Sequence, residues 1–421
     1  MNRFLTLMRS MKKGVKWQLR ILLSLFLVSF FAPLITNNKP IYFKLNGAYH
    51  FPAFNDLINP NHTINIDGRM LTPSSDWQKI KYQSVLWAPL RNGAIARDPN
   101  NQDFQSPLKR SVYNDGRMQE ITSKHILGTD RQGHDVFAQL LSGIKYSLMI
   151  GLSAILLAAT IGIILGAISG FYQNVYKIGK GELMTICISL LPAWFYGFSI
   201  RSYIILDGFQ QNSINGTFQV LFSLLVFIGI IKIFAWLGKR IDKAFKLNPI
   251  NFPIDNFITG ITEIFSSVPS IIIVVTVAAI SGGKSTLILV ILLGISSWPA
   301  FARITRGEVL RIKGMPYIES ATALGIKKSK IITNHILINA MPTLTVTIAF
   351  GFGSILLAES ALSFLNIGVP DQTITLGALL RSGREHIQAW WLIVFPGATI
   401  FLLIYLFNQI GDRISAQSNR T

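Results

Sequence analysis

The residues best suited by type to chemistry fall in three places. His125, Asp130, His134 and Asp135 put imidazoles and carboxylates on one turn-rich stretch, the ingredients of a metal or acid–base site. Histidines so spread along a loop are a weak signal, and the cluster reads as structural. Gly282-Gly283-Lys284-Ser285-Thr286 matches the end of a phosphate-binding loop, but the upstream glycine that motif requires would be residue 278, which is Ala. No nucleotide site follows. Glu263 and Glu359 are carboxylates inside long apolar runs, and ionisable groups there are candidates for function. For Glu359 two readings stand: a structural hydrogen bond, or the lining of a solute pathway. Glu263 reads as a hydrogen bond inside a helix bundle. The single cysteine, Cys187, excludes a disulfide framework and a thiolate metal cluster. No catalytic residue, cofactor or resident metal is expected.

The elements that must position these groups are mostly apolar. Of 421 residues, 50% are hydrophobic and only 14% charged, against about 25% charged in soluble chains. This disfavours a soluble enzyme, and 28 Phe, 11 Tyr and 8 Trp exclude a disordered chain. The formal net charge of +19 suits nucleic acid in a soluble protein but basic loops in a membrane protein.

Its distribution decides. Apolar runs long enough to cross a bilayer lie at Leu19–Ile35, Leu148–Ser169, Leu183–Leu206, Phe218–Leu237, Phe257–Ile280, Leu287–Phe301, Leu344–Leu365 and Trp391–Ile410, about eight spans in all. The first follows Arg3, Arg9, Lys12, Lys13, Lys16 and Arg20 without a small-x-small cleavage site, and reads as an uncleaved anchor. Cations recur at Lys177, Lys180, Lys239, Arg240, Lys243 and Lys246, and again at Arg303, Arg306, Arg311, Lys313, Lys327, Lys328 and Lys330. The intervening turn Asp207–Thr217 has none, so both termini are expected inside and no nucleic-acid partner is expected. Arg201 and Lys232, in the third and fourth runs, should snorkel. Val136, Leu140 and Ile144 form an apolar stripe, read as an interfacial helix that Asp135 would cap.

The stretch Arg303–Met341 lies between spans on the cytoplasmic side of this topology. Pro316 suits a first helical turn, Glu319 complements the helix dipole there, and Gly325 is a candidate C-cap. Tyr317, Ala321 and Leu324 form one apolar stripe, while Ser320, Ala321 and Ala323 keep the surface small. A second short helix is expected over Lys328–Leu337. The stretch is either an ordinary interfacial connector or a docking element for a cytoplasmic partner.

Tyr317-Ile318-Glu319-Ser320-Ala321-Thr322-Ala323-Leu324-Gly325, followed by His335 to Pro342, resembles the Glu-Ala-Ala-x-x-x-Gly loop of the membrane subunits of bacterial binding-protein-dependent ABC importers. Leu127-Gly128-Thr129-Asp130 through Asp135, then Ser147-Leu148, resembles the start of the core domain in dipeptide/oligopeptide/nickel permeases. Glu359 to Leu365 with Gly368-Val369-Pro370 is similar to a later span and loop of that family. The N-terminal segments Ile35–Pro40, Gly47–Pro52 and Trp87-Ala88-Pro89 resemble its microcin C/peptide branch. There are departures: Ser320 stands where Ala is usual, Ile338 where Pro is usual and His134 where Arg is usual.

The resemblance implies an all-α polytopic bundle of the type I ABC permease kind, in a bacterial inner membrane. It divides the chain into a basic tail and anchor (1–36), an extracytoplasmic segment (37–134), an interfacial helix and core span (135–170), an inserted two-span hairpin (171–254), a permease core with a coupling loop at 303–341 (255–410), and a tail (411–421). Tyr317, Glu319, Ser320, Ala321, Leu324 and Gly325 would meet an ATPase. Implied partners are a second permease, ATP-binding subunits, an extracytoplasmic solute-binding protein, membrane lipid and a peptide-like solute. A nickel complex or another small solute is the alternative cargo. A carrier or channel working without ATP, and a membrane-embedded hydrolase, are the competing classes.

Overall fold

The computed structural model describes residues 13–418 except 46, 58–62, 67–68, 73–74, 76, 78–79, 81, 99–101, 109–124, 212, 281–284, 371–372 and 385. The N-terminal cations before Lys13 and most of the phosphate-loop-like run lie outside the described residues. The chain divides into two compact units: residues 1–167 with 262–421, and residues 168–261.

In the first unit, helix α1 (Lys13–Phe30) leads into two small sheets. Strands β1 (Tyr42–Leu45), β2 (Ala48–His50) and β5 (Ser84–Leu86) pair in the antiparallel order β2-β1-β5, and β3 (Ile64–Ile66) pairs with β4 (Arg69–Leu71). Phe43 of β1 is fully buried between the rings of His50 and Tyr82. Lys39 and Asp56 form a buried ion pair at 2.7 Å beside this sheet.

Helix α2 then runs unbroken for 37 residues, Val136–Tyr172. The expected interfacial helix and core span are thus one rod of about 55 Å at 1.5 Å per residue. It contains no proline, and its glycines sit where neighbours press close rather than where the backbone must turn. Asp135 caps it as expected: its Oδ1 accepts the Ala138 N–H at 2.8 Å. Gly162 and Gly166, one helical turn apart, face helix α8 (Thr286–Lys313). A Cβ on Gly162 would stand 2.7 Å from the Trp298 carbonyl oxygen, and one on Gly166 would stand 2.7 Å from Thr305 Cβ. Small residues at this spacing let two backbones approach, which is how helices pack where lipid supplies no hydrophobic drive.

The rest of this unit is α7 (Ser270–Ile280), α8, the short α9 (Pro316–Ala323), the long α10 (Lys328–Phe364), α11 (Leu376–Arg384) and α12 (Trp391–Ser418). One core joins α2, α8, α10 and α12 through Leu148, Ala154, Leu289, Leu293, Phe301, Phe352, Leu356, Leu403 and Leu406. Phe352 stacks on Phe407 with ring centroids 3.8 Å apart. The helix expected over Lys328–Leu337 is not separate. It passes through a π turn at Ile332–Ile336 straight into α10, so the following span supports a segment too short to hold alone.

The second unit is a helical hairpin. Helix α3 (Lys180–Trp194), a π turn at Phe195–Ser199 and α4 (Ser202–Gln211) run out, and α5 (Ser213–Ala244) returns. At its base β6 (Tyr176–Ile178) pairs antiparallel with β7 (Ile250–Phe252). Asp242 of α5 accepts the N–H groups of Gly181 at 2.7 Å and Glu182 at 3.0 Å, so one helix supplies the missing N-cap of the other. Arg201 does not snorkel. Its guanidinium donates to Ser223 Oγ at 2.9 Å and Gln219 Oε1 at 2.6 Å and lies over the Phe222 ring, because partners on α5 satisfy it more directly than distant water would.

Among the described residues, six helices are long and apolar enough to cross a membrane. A seventh crossing arises if α6 (Ile254–Ser267) and α7, bent by 76° at their break, act as one. Pro269, which has no N–H to continue the ladder, lies in that break. The remaining expected crossing falls on α1, whose 18 residues include Lys13, Lys16 and Arg20.

Candidate functional site

Helix α9 is defined at both ends by local chemistry. Met315 is extended and Pro316 takes the first helical position, where no donor is needed. At the other end Gly325 adopts φ +72°, its N–H bonds the Thr322 carbonyl at 3.0 Å, and the Ile326 N–H bonds the Ala321 carbonyl at 3.2 Å. These paired bonds are a Schellman C-cap, and glycine enters its left-handed position without steric cost. No atom lies within 4 Å of where a Gly325 Cβ would stand.

The buried face of α9 differs from the expected stripe. Ile318 and Ala321 point inward at 2% and 7% exposure, whereas Tyr317 and Leu324 are 41% and 81% exposed. Ile318 and Ala321, three apart, share a face, and the helix packs against the end of α8 and the start of α10, where Ile312, Ile331 and Ile336 are buried. Glu319, Ser320, Leu324 and Gly325 are exposed. Two polar ties brace the surroundings. Asn339 of α10 donates to the Tyr317 hydroxyl at 2.8 Å, and Glu308 of α8 accepts Thr343 Oγ1 at 2.6 Å and Arg311 Nε at 2.8 Å.

Glu359 has no exposed surface. Its Oε1 accepts Ser363 Oγ at 2.8 Å, and its Oε2 accepts Ser147 Oγ of α2 at 3.0 Å and Ser360 Oγ at 3.3 Å. The Ser147 oxygen in turn accepts the Leu376 N–H at 3.2 Å, at the start of α11. The carboxyl therefore ties α2, α10 and α11 together, the geometry of a structural hydrogen-bond centre. Glu263, on α6, is exposed and shows no such centre.

The His/Asp cluster resolves into two structural networks. His125 is buried, with Nδ1 2.8 Å from Asp135 Oδ2 and Nε2 3.2 Å from Asp98 Oδ2, and Asn92 also donates to Asp135 at 3.1 Å. Burial works against the imidazolium, but the Asp135 and Asp98 carboxylates outweigh it and raise the His125 pKa to about 9. Asp130 accepts His134 Nδ1 at 2.8 Å, Gln139 Nε2 at 3.0 Å and the N–H groups of Gln132 and His134. Burial there is likewise outweighed, by His134 first, and the Asp130 pKa is lowered. Among the described residues, no group of three or more His, Cys, Asp or Glu is placed to hold a metal ion. Asn92 and Asp98 escaped the sequence reading because nothing local marks them as partners of residues so far along the chain. The Gly162/Gly166 pair was legible as a small-xxx-small motif and was not singled out.

Six helices among the described residues are long and apolar enough to cross a membrane, as in a multi-pass membrane protein, and a short exposed helix is held between α8 and α10. Residues 244–420 match the family described as binding-protein-dependent transport system inner membrane component. The inner membrane ABC transporter permease protein YejE of Escherichia coli (strain K12) is 26% identical over 406 residues, 94% of this chain and 91% of that one. The dipeptide transport system permease protein DppC of Alkalihalophilus pseudofirmus is 27% identical, covering 70% of this chain and 72% of its own. A solved structure titled as inward-facing conformations of the MetNI methionine ABC transporter covers 66% of this chain and 96% of its own at 15% identity, with a TM-score of 0.42, too loose a likeness to carry an argument. Residues 244–420 thus match this transport-system component, and along most of its length the chain is similar to ABC transporter permeases, peptide-transport permeases among them.

Proposed function

We propose that this chain forms half of the transmembrane pathway of an ATP-driven importer for peptides or peptide-like solutes, in the inner membrane. Its α9 is the element that a separate ATPase subunit grips. The observation that carries this reading is the two-faced character of α9. Ile318, Ala321 and the Tyr317–Asn339 bond fasten it to α8 and α10, while Glu319, Ser320, Leu324 and Gly325 are left exposed. A helix fastened on one side and open on the other moves with whatever seats against it. Two docking states of differing affinity then couple nucleotide hydrolysis to rearrangement of α8 and α10. A second permease completes the pathway, and a solute-binding protein delivers cargo on the opposite side. Glu359 holds the bundle together rather than contacting solute.

The test is crosslinking in native membranes. With Cys187 replaced by serine, Leu324→Cys should form a disulfide with cysteines placed in the ATPase subunit, and the yield should change on adding ATP. Crosslinks to the permease chain alone would remove the docking role. ATP-dependent uptake of a labelled dipeptide by membrane vesicles should be lost in a strain lacking this chain.

A further inference from the structure

On the face that carries the segment between α1 and α2 lies a cavity of about 610 Å³. It is lined by Arg97, Gln102, Asp103, Phe104, Asp130, Arg131, Gln132, Arg381 and Ser382. This volume falls within the range of small-molecule sites, roughly 300–1,000 Å³, but the wall is polar rather than greasy. We propose that this cavity is a binding site for a small carboxylate-bearing solute, with the guanidinium groups of Arg97 and Arg381 as its recognition elements.

The wall is built and held. The Asp98 N–H bonds the Gly133 carbonyl at 3.1 Å, the Asp103 N–H bonds the Arg131 carbonyl at 3.3 Å, and the Phe104 N–H bonds the Asp130 carbonyl at 3.4 Å. Trp391 of α12 donates its indole N–H to the Thr129 carbonyl at 3.1 Å, and Phe104 stacks on His386 with centroids 4.6 Å apart. Asp103 and Phe104 are consecutive non-glycine residues at φ +61° and +60°. That conformation is strained for residues with a side chain and persists only where the surroundings impose it, as at ligand clamps.

The charges facing the space select the ligand. Arg97, Arg131 and Arg381 line the space with two carboxylates, Asp103 and Asp130, and Arg131 has a partner of its own. Asp130 is already engaged by His134, Gln139 and two backbone N–H groups, so its charge is directed into the wall. Arg381 hydrogen-bonds Asn366 at the end of α10, which orients its guanidinium. Arginine presents a planar fork that matches a carboxylate with two parallel bonds, and Gln102, Gln132 and Ser382 supply amide and hydroxyl groups suited to a peptide backbone. The carboxylate solute this points to is a short peptide with a free C-terminus. The assignment rests on the peptide-uptake reading for its choice of solute.

The experiment is calorimetric titration of the purified full-length chain in bilayer discs with alanyl-alanine and, separately, with alanyl-alanine amide, without ATP. The free acid should give saturable binding that weakens with added salt. The amide should bind at least about tenfold more weakly, and so should the acid to Arg97→Gln, an exposed loop substitution that leaves the wall bonds intact. Arg381→Gln should weaken it further. Equal binding of acid and amide, no saturable binding of either, or unchanged binding by Arg97→Gln would overturn the site. ATP-driven dipeptide uptake by vesicles, measured alongside, separates the two claims: normal uptake with no binding here removes this site and leaves the transport reading standing.

Discussion

The Asn339 side-chain amide reaches the Tyr317 hydroxyl at 2.8 Å, joining the short α9 to the long α10 across 22 positions of sequence. The bond lies near the surface, so its contribution to stability is under about 1 kcal/mol. Its importance is directional, because it stops α9 from rolling on its Ile318–Ala321 contact. Tyr317→Phe should leave insertion and thermal stability nearly unchanged and lower the solute imported per ATP hydrolysed. Vesicle uptake measured with phosphate release reads this ratio, and an unchanged ratio would show that the bond transmits nothing.

Gly325→Ala separates backbone from contact. A Cβ there meets no atom within 4 Å, so the only penalty is φ +72°. That costs about 1–2 kcal/mol, borne by the end of α9. ATP-dependent uptake should fall several-fold while membrane insertion stays normal, and Gly325→Asn, which tolerates this conformation better, should recover part of it.

The close approach of α2 and α8 predicts a different failure. Gly166→Leu forces a side chain toward Thr305 and the Ala302 backbone, and Gly162→Leu does the same against Trp298. Neither neighbour can yield without moving its helix, so both variants should lose about 1–3 kcal/mol of stability or more, as overpacking with backbone shifts does. Detergent melting curves and protease sensitivity should show both well below the parent, whereas Gly397→Ala, in open space, should melt normally.

Ser147→Ala removes one donor from the fully buried Glu359 and, with it, the acceptor for the Leu376 N–H. Leaving buried polar groups unpaired costs about 1–3 kcal/mol. The melting temperature should fall by several degrees, and Ser147→Thr, which keeps a hydroxyl, should retain more of it.

The His125 network sets a pH window. Its folded pKa, about 9, lies above the ordinary imidazole value of 6.5, so protonation stabilises the folded segment. That contribution is complete below pH 6.5 and is lost as pH rises through about 9. Limited proteolysis of the segment between α1 and α2 should accelerate between neutral pH and pH 9–10, and His125→Gln should flatten the profile. Asp130, whose pKa is lowered, works in the opposite direction: its contribution is present at neutral pH and fades on acidification.

What could be read from sequence follows from the range of each signal. The Asp135 cap is local and is present at the expected residue, while of the eight expected apolar runs six recur as helices long and apolar enough to cross a membrane, one is bent by 76° and the first falls on the more charged α1. The α9 ends were legible because Pro316 and Gly325 act on their own backbone. Which face of α9 is buried was not, because Ile318 is selected over Tyr317 by α8 and α10, which the stripe alone does not specify. The same holds for Arg201, whose partners Gln219 and Ser223 are brought to it by the hairpin turn, and for His125, whose partner Asp98 is distant in sequence.

The β6–β7 ribbon sets Tyr176 opposite Phe252, so the chain departs for the hairpin and comes home at a single doorway. Beyond it the two long helices are tied to each other, down to Asp242 closing the end of its neighbour. Excising residues 180–248 and bridging the gap with a tight turn would ask the two strands to do nothing they do not already do. By its own pairing, the small ribbon already closes the loop that such a shortened chain would need.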